Sequence, residues 1–128
     1  MSMIFRLEIE GLPPSVNSMY RTGKFSARYK RPEVAEWQEE LTARMRECWN
    51  KPLAYMDVVE VHVLFTVKDN RRWDVDNRLK ALLDCLSMAG VIHDDSQIWG
   101  IVALRVKGEY SRTRIEVREY TGMRKKSA

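Results

Sequence analysis

DVVEVHVLFTV, residues 57–67, is the stretch that decides the fold of this chain. Every second residue along this stretch is apolar, and these residues would share one face of a strand. The residues between them, on the other face, are a mixture of polar and apolar types. Alternation with a period of two is typical of a strand with one face against a core, and the β-branched valines favour a pleated backbone. The pattern therefore predicts a strand over residues 57–67. Its core-facing side chains are expected to be Val59, Val61, Val63, Phe65 and Val67.

Three further segments show the same period and predict strands. They are Met3–Glu10, Ile98–Lys107 and residues 113–120. Pro13–Pro14 follows the first of them and stops it, because proline donates no backbone hydrogen bond. The last two segments are separated by a short stretch around a glycine, residues 108–111, which predicts a hairpin between them.

Two segments instead have the period of an amphipathic helix. The first covers residues 33–49, with Pro32 in the first turn, a position that proline tolerates. Its predicted core face consists of Val34, Trp37, Leu41, Met45 and Cys48. The second runs from about residue 75 to residue 89, and Gly90 is well placed to end it. Its apolar stripe consists of Val75, Leu79, Leu82, Leu83 and Leu86.

The order of these segments predicts one domain. The chain has 128 residues, an ordinary length for a single domain. Strand, helix, strand, helix and a final pair of strands predict an α/β (α+β) domain over residues 1–128, with a mixed sheet of about four strands and two main helices. Residues 11–31 have no clear period and predict a loop or irregular segment. Residues 121–128 are expected to form a frayed basic tail.

Composition and charge narrow the function. Hydrophobic residues make up 45% of the chain and charged residues 31%, which excludes a wholly disordered protein. The 22 basic and 18 acidic residues give a net charge of +4, which suits a polyanionic partner. No apolar stretch reaches the length of a membrane span, so no membrane association is expected. The two cysteines lie in apolar helical patterns, which favours buried thiols in a reducing, cytoplasmic compartment.

Acidic residues are concentrated in one part of the sequence. WDVDNRLKALLD, residues 73–84, is followed closely by HDD, residues 93–95. Residues four apart lie on one side of a helix, so the first stretch predicts a line of alternating charge, which the second joins if the chain turns back after the helix. Carboxylates gathered at one point repel each other, and a hard cation such as Mg²⁺ relieves that repulsion. The residues concerned are Asp74, Asp76, Lys80, Asp84, Asp94 and Asp95.

Each of these residues also has an ordinary structural interpretation. Asp74 would be the N-cap of the second helix if that helix begins at Val75. Lys80 and its acidic neighbours have the spacing of an exposed salt-bridge face. Asp94 or Asp95 would cap the short turn that follows. The residue pattern alone leaves both interpretations open.

A basic segment lies before the first helix. Residues 18–31 contain five basic residues, three aromatic residues and no acid. That mixture is typical of phosphate contact combined with stacking on unpaired bases. A solvated loop whose aromatic side chains pack back onto the core explains it equally well. Two further arginines, Arg71 and Arg72, precede the acidic stretch.

Taken together, the motifs resemble those of the RusA family of Holliday junction resolvases. Asp-x-Asp-Asn-x-x-Lys from Asp74, a further aspartate at position 84, and Gly-x-x-x-Asp-Asp from Gly90 are similar to the family's acidic motif. Pro13–Pro14–Ser15–x–Asn17–x–x–Tyr20–Arg21 is similar to its opening motif. This chain has Trp73 where relatives can continue with basic residues. The resemblance spans most of the chain and implies a RusA-like fold.

The family resemblance implies an enzyme: a homodimeric, Mg²⁺-dependent endodeoxyribonuclease, with Mn²⁺ as a substitute ion, that cuts four-way DNA junctions symmetrically in recombination or repair. It implies a bacterial or phage-encoded protein of the cytoplasm, associated with the nucleoid. The implied catalytic residues are Asp74, Asp76, Lys80 and Asp95, and the implied metal ligands are Asp74, Asp76 and Asp95. Asn77, Asp84 and Asp94 would support them. The residues expected to contact DNA are Asn17, Tyr20, Arg21, Lys24, Arg28, Lys30, Arg71 and Arg72.

The chemistry of these residue types agrees with phosphodiester hydrolysis. A cation held by carboxylates polarises a phosphate and lowers the pKa of bound water. Lys80, between acids four residues away on either side, would stay protonated and meet the phosphate or the leaving oxygen. Two alternatives remain: a non-catalytic junction- or DNA-binding protein of the same fold, and, less favoured, a metal-dependent phosphohydrolase acting on small nucleotides.

Overall fold

The structure is a computed structural model that describes residues 2–14, 20–22, 28–30, 32–69 and 75–122. For residues 20–22, 28–30, 76 and 77 it describes the backbone only. The strands are β1 (Met3–Glu10), β2 (Tyr20–Thr22), β3 (Arg28–Lys30), β4 (Val59–Val67), β5 (Ile98–Lys107) and β6 (Arg112–Glu119). The helices are α1 (Pro32–Trp49) and α2 (Asp76–Met88), and a 3₁₀ turn covers Asp95–Gln97. These bounds confirm the four long strands and both helices, with shifts of one or two residues at some ends.

The main sheet has four strands in the order β1-β6-β4-β5. β6 is antiparallel to both of its neighbours, and β5 is parallel to β4. The predicted mixed sheet is therefore confirmed. The parallel pairing of β4 and β5 is the usual arrangement for two strands joined by a helix, because a helical crossover brings the chain back in the direction of the first strand.

The predicted hairpin between the last two strands is wrong. β5 and β6 are not neighbours, because β4 lies between them. Their short connection passes over the end of β4, where the Gly108 N–H donates to the Val67 carbonyl at 3.1 Å. A Cβ atom at Gly108 would lie 2.4 Å from a methyl carbon of Thr66, so glycine permits this close passage. Turn length alone does not distinguish a hairpin from a connection that skips one strand.

The core lies between one face of the sheet and the two helices. All five predicted core-facing residues of β4 are at most 4% exposed, which confirms that face. They pack with Leu41 and Met45 of α1 and with Leu82 and Leu86 of α2. At the β1 side, the rings of Phe5 and Trp49 meet edge to face at 6.3 Å. Neither α1 nor α2 is long and apolar enough to cross a membrane, nor is any other helical part of the described chain.

The buried face of α1 is rotated from the predicted one. Cys48 is exposed, contrary to prediction, and Trp49 is buried instead. Gln38 is also buried, and its Nε2 donates to the Ala81 carbonyl of α2 at 2.9 Å. A pattern of apolar residues misses a polar side chain that the neighbouring helix satisfies. The other cysteine, Cys85, is buried as predicted.

The prediction of a loop or irregular segment over residues 11–31 is wrong in part. β2 and β3 pair antiparallel within it, with Tyr20 opposite Lys30 and Thr22 opposite Arg28. Tyrosine and threonine favour strands, but three-residue strands are too short to show an alternating pattern. Most of the predicted tail, residues 123–128, lies outside the described residues.

Candidate active site

The chain turns back at the end of α2, which brings the second acidic stretch beside the helix. Gly90 has φ +79° and ends the helix as predicted. The Gly90 N–H donates to the Ser87 carbonyl at 3.1 Å, and the Val91 N–H donates to the Leu86 carbonyl at 3.0 Å. These are the two hydrogen bonds of a Schellman motif, in which a left-handed glycine reverses the chain.

The start of α2 differs from the sequence prediction by one residue. Val75, not Asp74, occupies the N-cap position, and it has helical backbone angles and no side-chain capping bond. Asp74 lies outside the described residues, as do Arg71 and Arg72. Asp76 is the first helical residue, and unpaired N–H groups at that end of a helix favour a negatively charged residue type.

Lys80 and Asp84 form the predicted pair with a spacing of four. Their Nζ and Oδ1 atoms lie 3.6 Å apart. The lysine side chain is 54% exposed and that of the aspartate is 24% exposed. A pair this exposed adds little to stability, and it leaves the ammonium group accessible to a phosphate.

Asp94 has a structural role. It is the N-cap of the 3₁₀ turn, and its Oδ2 accepts a hydrogen bond from the Ser96 N–H at 2.9 Å. Hydrogen bonding from the Ser96 side chain, and then from its backbone N–H, holds the pKa of Asp94 below its ordinary value. This supports the capping interpretation of Asp94, one of the residues predicted to support the site.

Gln97 fixes the acidic turn, residues 93–97, and the sequence prediction overlooked this glutamine. Its Oε1 accepts hydrogen bonds from the N–H groups of His93 at 2.7 Å and of Asp94 at 2.9 Å. Its Nε2 donates to the carbonyls of Tyr55 at 2.7 Å and of Asp57 at 2.8 Å. The signal was present, because Asp-x-x-Gln from position 94 is the sequence of a capping box.

Asp95 lies on the surface, against the last turns of α2. It is exposed, and its Oδ1 accepts a hydrogen bond from the Ser87 hydroxyl at 3.3 Å. Ser87 lies eleven residues beyond Asp76 in the same helix, which is about 16 Å along the axis at the standard rise. Within one chain, the structure therefore brings Asp95 to the end of α2 that carries Asp84, and not to the end that carries Asp76.

This spacing bears on the predicted metal ligands. Carboxylate oxygens bind Mg²⁺ at about 2.1 Å, so one ion cannot touch both ends of α2. Within the described part of the chain, no group of three or more His, Cys, Asp or Glu residues could hold a metal ion. The Asp74 and Asp76 carboxylates fit such an ion in donor chemistry, but the position of Asp74 and the side chain of Asp76 are not described.

Arg78 connects the two sequence motifs. Its Nη1 donates to the Pro13 carbonyl at 2.8 Å, and its own N–H donates to Val75 at the helix start. Partial burial lowers the pKa of the Arg78 guanidinium, which still stays protonated at neutral pH. The double proline is thereby held beside the first turn of α2. The sequence prediction assigned no role to this arginine, although it stands inside the acidic motif.

Only part of the predicted DNA-contacting set is described. Asn17 and Lys24 lie outside the described residues. The four others of that segment, Tyr20, Arg21, Arg28 and Lys30, occupy β2 and β3, where Arg21 is opposite Tyr29. The two short strands thus bring the basic positions of the segment together as a ribbon.

A buried glutamate surrounded by arginines lies on the sheet face opposite the helices, and the sequence prediction did not find it. Glu116 of β6 is 8% exposed and contacts three arginines. Arg118 is hydrogen-bonded to it, and the guanidinium groups of Arg6 and Arg114 each lie 3.8 Å from Oε2. The hydrogen bond from Arg118 is the main reason that the pKa of Glu116 is below its ordinary value, and the charges of the three arginines add to the effect.

Comparison with known proteins identifies the family. The model of the endodeoxyribonuclease RusA family matches residues 10–118, which include every described element of the site. The chain belongs to the RusA family. A crossover junction endodeoxyribonuclease RusA of Aquifex aeolicus is 30% identical over 95 residues, covering 74% of this chain and 75% of its own. One of Enterobacteria phage HK97 is 32% identical over 108 residues, covering 84% of this chain and 88% of its own.

The RusA match confirms the resemblance drawn from the two sequence motifs. It starts before the double proline and extends through α2, the acidic turn and β5 into β6. The residues that the family model matches therefore include the Asp-Asp pair, the helical lysine and the opening motif of this RusA-family member.

Proposed function

We propose that this RusA-family chain is an endodeoxyribonuclease that resolves four-way DNA junctions, in recombination or repair. The observation that carries the proposal is the line of alternating charge along α2, where Asp76, Lys80 and Asp84 follow one another at a spacing of four residues. Asp95 lies against its last turns. Both named relatives are crossover junction endodeoxyribonucleases, which supports the same activity here.

The first part of the proposed mechanism is the metal. Nucleases of this family are generally metal-dependent, and carboxylate donors suit Mg²⁺, with Mn²⁺ as a substitute. Asp74 and Asp76, which flank the N-cap residue Val75 in the sequence, would hold the ion together with water. The bound ion would supply charge stabilisation at the phosphate and a water of lowered pKa.

The second part is Lys80. Lys80 lies one helical turn beyond Asp76 and its side chain is more than half exposed. Among the described residues, its ammonium group has the 3.6 Å contact with Asp84. It would donate a hydrogen bond to the scissile phosphate or to the leaving oxygen, where negative charge develops during hydrolysis. Asp84 would limit the directions in which the flexible lysine side chain points.

The third part is a homodimer. A four-way junction has two symmetry-related strands to cut, and a two-fold dimer offers one site for each. The surface that suits the contact is β5, an edge strand that among the described elements pairs with β4 alone. An exposed, apolar edge strand is an available pairing site. Its exposed apolar side chains are Trp99, Ile101, Val102, Leu104 and Val106.

Self-pairing of β5 would also explain why Asp95 is separated from Asp76. The crossover from β4 to β5 places α2 over these two strands. Two copies of β5 paired antiparallel would join the sheets and set the two α2 helices side by side in opposite directions. The Asp95 end of one helix would then face the Asp76 end of the other. We propose that each active site takes Asp74, Asp76 and Lys80 from one copy and Asp95 from the other.

The basic test of the function is a cleavage assay. A synthetic four-way junction, a linear duplex and a free nucleotide are each incubated with the protein, with and without Mg²⁺. We expect paired nicks in the junction that depend on Mg²⁺. Junction binding without nicking under any metal would instead identify a non-catalytic binding protein, and hydrolysis of the nucleotide alone would identify a phosphohydrolase.

Mixed variants test the shared site. Asp76→Asn and Asp95→Asn are each expected to be inactive. After subunit exchange, a mixed dimer has one site with both defects and one intact site, so the mixture should regain single-strand nicking. Continued inactivity in mixed dimers, verified by mass with one of the two variants labelled with ¹⁵N, would place both residues in a site within one chain.

The proposed dimer surface is tested by Leu104→Lys, with Leu53→Lys as the matched control, since Leu53 is a more exposed leucine outside β5. Sedimentation equilibrium should give twice the chain mass for the unmodified protein and the control, and the chain mass for Leu104→Lys. A dimer that survives Leu104→Lys would contradict the β5 contact.

A further inference from the structure

The Gln97 side chain joins the acidic turn to the segment that leads into β4, which the Tyr55 N–H also reaches through its 2.9 Å hydrogen bond to the Val91 carbonyl. It is 9% exposed and uses both functions of its amide: the oxygen accepts two hydrogen bonds and the nitrogen donates two. The acceptor bonds hold the chain just before Asp95, and the donor bonds hold the segment that leads into β4. The amide is thus fully satisfied, which is what a buried polar group requires.

This arrangement determines where Asp95 can point. The backbone on its N-terminal side is fixed by the hydrogen bonds that His93 and Asp94 donate to Gln97. On the C-terminal side of Asp95, Gln97 directly precedes β5. Asp95 lies between these two fixed points, and among the described residues its carboxylate is held by the 3.3 Å bond from Ser87. An exposed carboxylate with one weak contact needs a rigid backbone if it is to stay in place.

We propose that Gln97 is a positioning residue for Asp95 in the metal-dependent step of cleavage. The inference rests on the proposed function, because it assumes that Asp95 acts in the site. Replacing a residue that orients a metal ligand through hydrogen bonds typically changes metal affinity by about 10- to 100-fold. A residue that only stabilises the fold would lower the melting temperature without a selective effect on the metal.

The test compares Gln97→Ala with Gln38→Ala. Gln38 is also a buried glutamine that donates to a main-chain carbonyl, but that carbonyl belongs to Ala81 of α2 and not to the segment before β4. Mg²⁺ affinity is measured by calorimetry on the full-length protein bound to a junction, with Lys80→Ala present in every sample to prevent turnover. Nicking is measured separately, in the unmodified background, as a function of Mg²⁺ concentration.

We expect Gln97→Ala to weaken Mg²⁺ binding by about tenfold or more and to raise the Mg²⁺ concentration for half-maximal nicking by a similar factor. Gln38→Ala should leave both within about twofold of the unmodified protein, although both variants lower the melting temperature. Amide exchange at His93 and Asp94 should accelerate in Gln97→Ala only, which verifies that the intended bonds were lost.

A Gln97→Glu variant separates the two halves of the interaction. It keeps an acceptor for the two N–H groups but has no amide protons for the Tyr55 and Asp57 carbonyls. If it binds Mg²⁺ better than Gln97→Ala, the acceptor side positions Asp95, as proposed. If Gln97→Ala and Gln97→Glu both retain Mg²⁺ affinity and the normal Mg²⁺ dependence of nicking while Asp95→Asn is inactive, the inference is wrong and the proposed function stands. If Asp95→Asn retains full activity, the proposed site itself fails.

Discussion

The molecule has two regions in which carboxylates are placed in opposite ways. Glu116 lies on the sheet face opposite the helices, nearly buried, and three arginines neutralise it. The acids along α2 and in the turn after it lie near the surface, and their described contacts are few. Lys80 contacts Asp84, the Ser96 N–H donates to Asp94, and the Ser87 hydroxyl donates to Asp95. The protein pairs the carboxylate of the first region inside the fold, whereas the described acids of the second region, Asp84, Asp94 and Asp95, stay partly or fully exposed.

This difference distinguishes a structural carboxylate from one that is available for chemistry. A buried charge must be paired inside the protein, because leaving it unpaired costs several kcal/mol. An exposed charge has no such requirement and can be paired by a metal ion or a protonated group when substrate arrives. The sequence shows acids in both regions, but only the partners in the folded chain separate the two kinds.

The largest effect that would test this comparison is expected at Asp76. Asp76→Asn removes one charge with little change in volume, so the fold and junction binding should persist while the nicking rate falls by about 100-fold or more, as when a single electrostatic group of an active site is removed. Binding should even strengthen slightly, since one repulsive charge facing phosphate is lost. Glu39→Gln, a charge removal at an exposed position of α1, is the control and should cleave normally.

Lys80→Ala should give the next largest loss. If the ammonium group meets the phosphate, single-turnover nicking should fall by about 10- to 100-fold, whereas loss of an exposed ion pair alone would cost at most about 1 kcal/mol of stability. Lys51→Ala removes another exposed lysine and should leave the nicking rate unchanged. Full activity of Lys80→Ala would reduce the lysine to a salt-bridge partner of Asp84.

Glu116→Gln should affect stability and not cleavage. Loss of the charged hydrogen bond to Arg118 should lower the free energy of unfolding by roughly 1.5–3 kcal/mol at neutral pH. Because the pKa of Glu116 is lowered on folding, its contribution is present above its ordinary value of 4.5 and is lost as the pH falls through the folded value. Urea unfolding at several pH values should therefore show a flatter acid limb for the variant. An unchanged acid limb would contradict the assignment.

The smallest effect is expected at Asp94. Asp94→Ala removes the cap of the 3₁₀ turn and should lower the melting temperature slightly, whereas Asp94→Asn should be nearly neutral, because asparagine caps equally well. Differential scanning fluorimetry on both variants is sufficient to compare them. Equal destabilisation by both would show that the negative charge, and not the capping hydrogen bond, is what matters at this position.

Much of the fold could be read from the sequence because its signals are local. The alternation in β4 and the helical periods of α1 and α2 follow from which residues avoid water, and Gly90 ends α2 because glycine adopts positive φ at little cost. The spacing of Asp76, Lys80 and Asp84 likewise follows from helix geometry alone. The family resemblance rested on the same local motifs and was confirmed over residues 10–118.

Tertiary structure decided whatever depends on a distant partner. β6 lies between β1 and β4, which rules out the local hairpin, because strand order is set by packing across the whole sheet. Gln38 is buried because a neighbouring helix offers a carbonyl to its amide, and Trp49, not Cys48, belongs to the buried face of α1. Asp95 lies against Ser87, far along α2 from Asp76, in a turn that is tied to the residues before β4 by Gln97 and by the hydrogen bond from the Tyr55 N–H to the Val91 carbonyl. The sequence specified which acids the chain carries, and long-range hydrogen bonds determined which of them lie together.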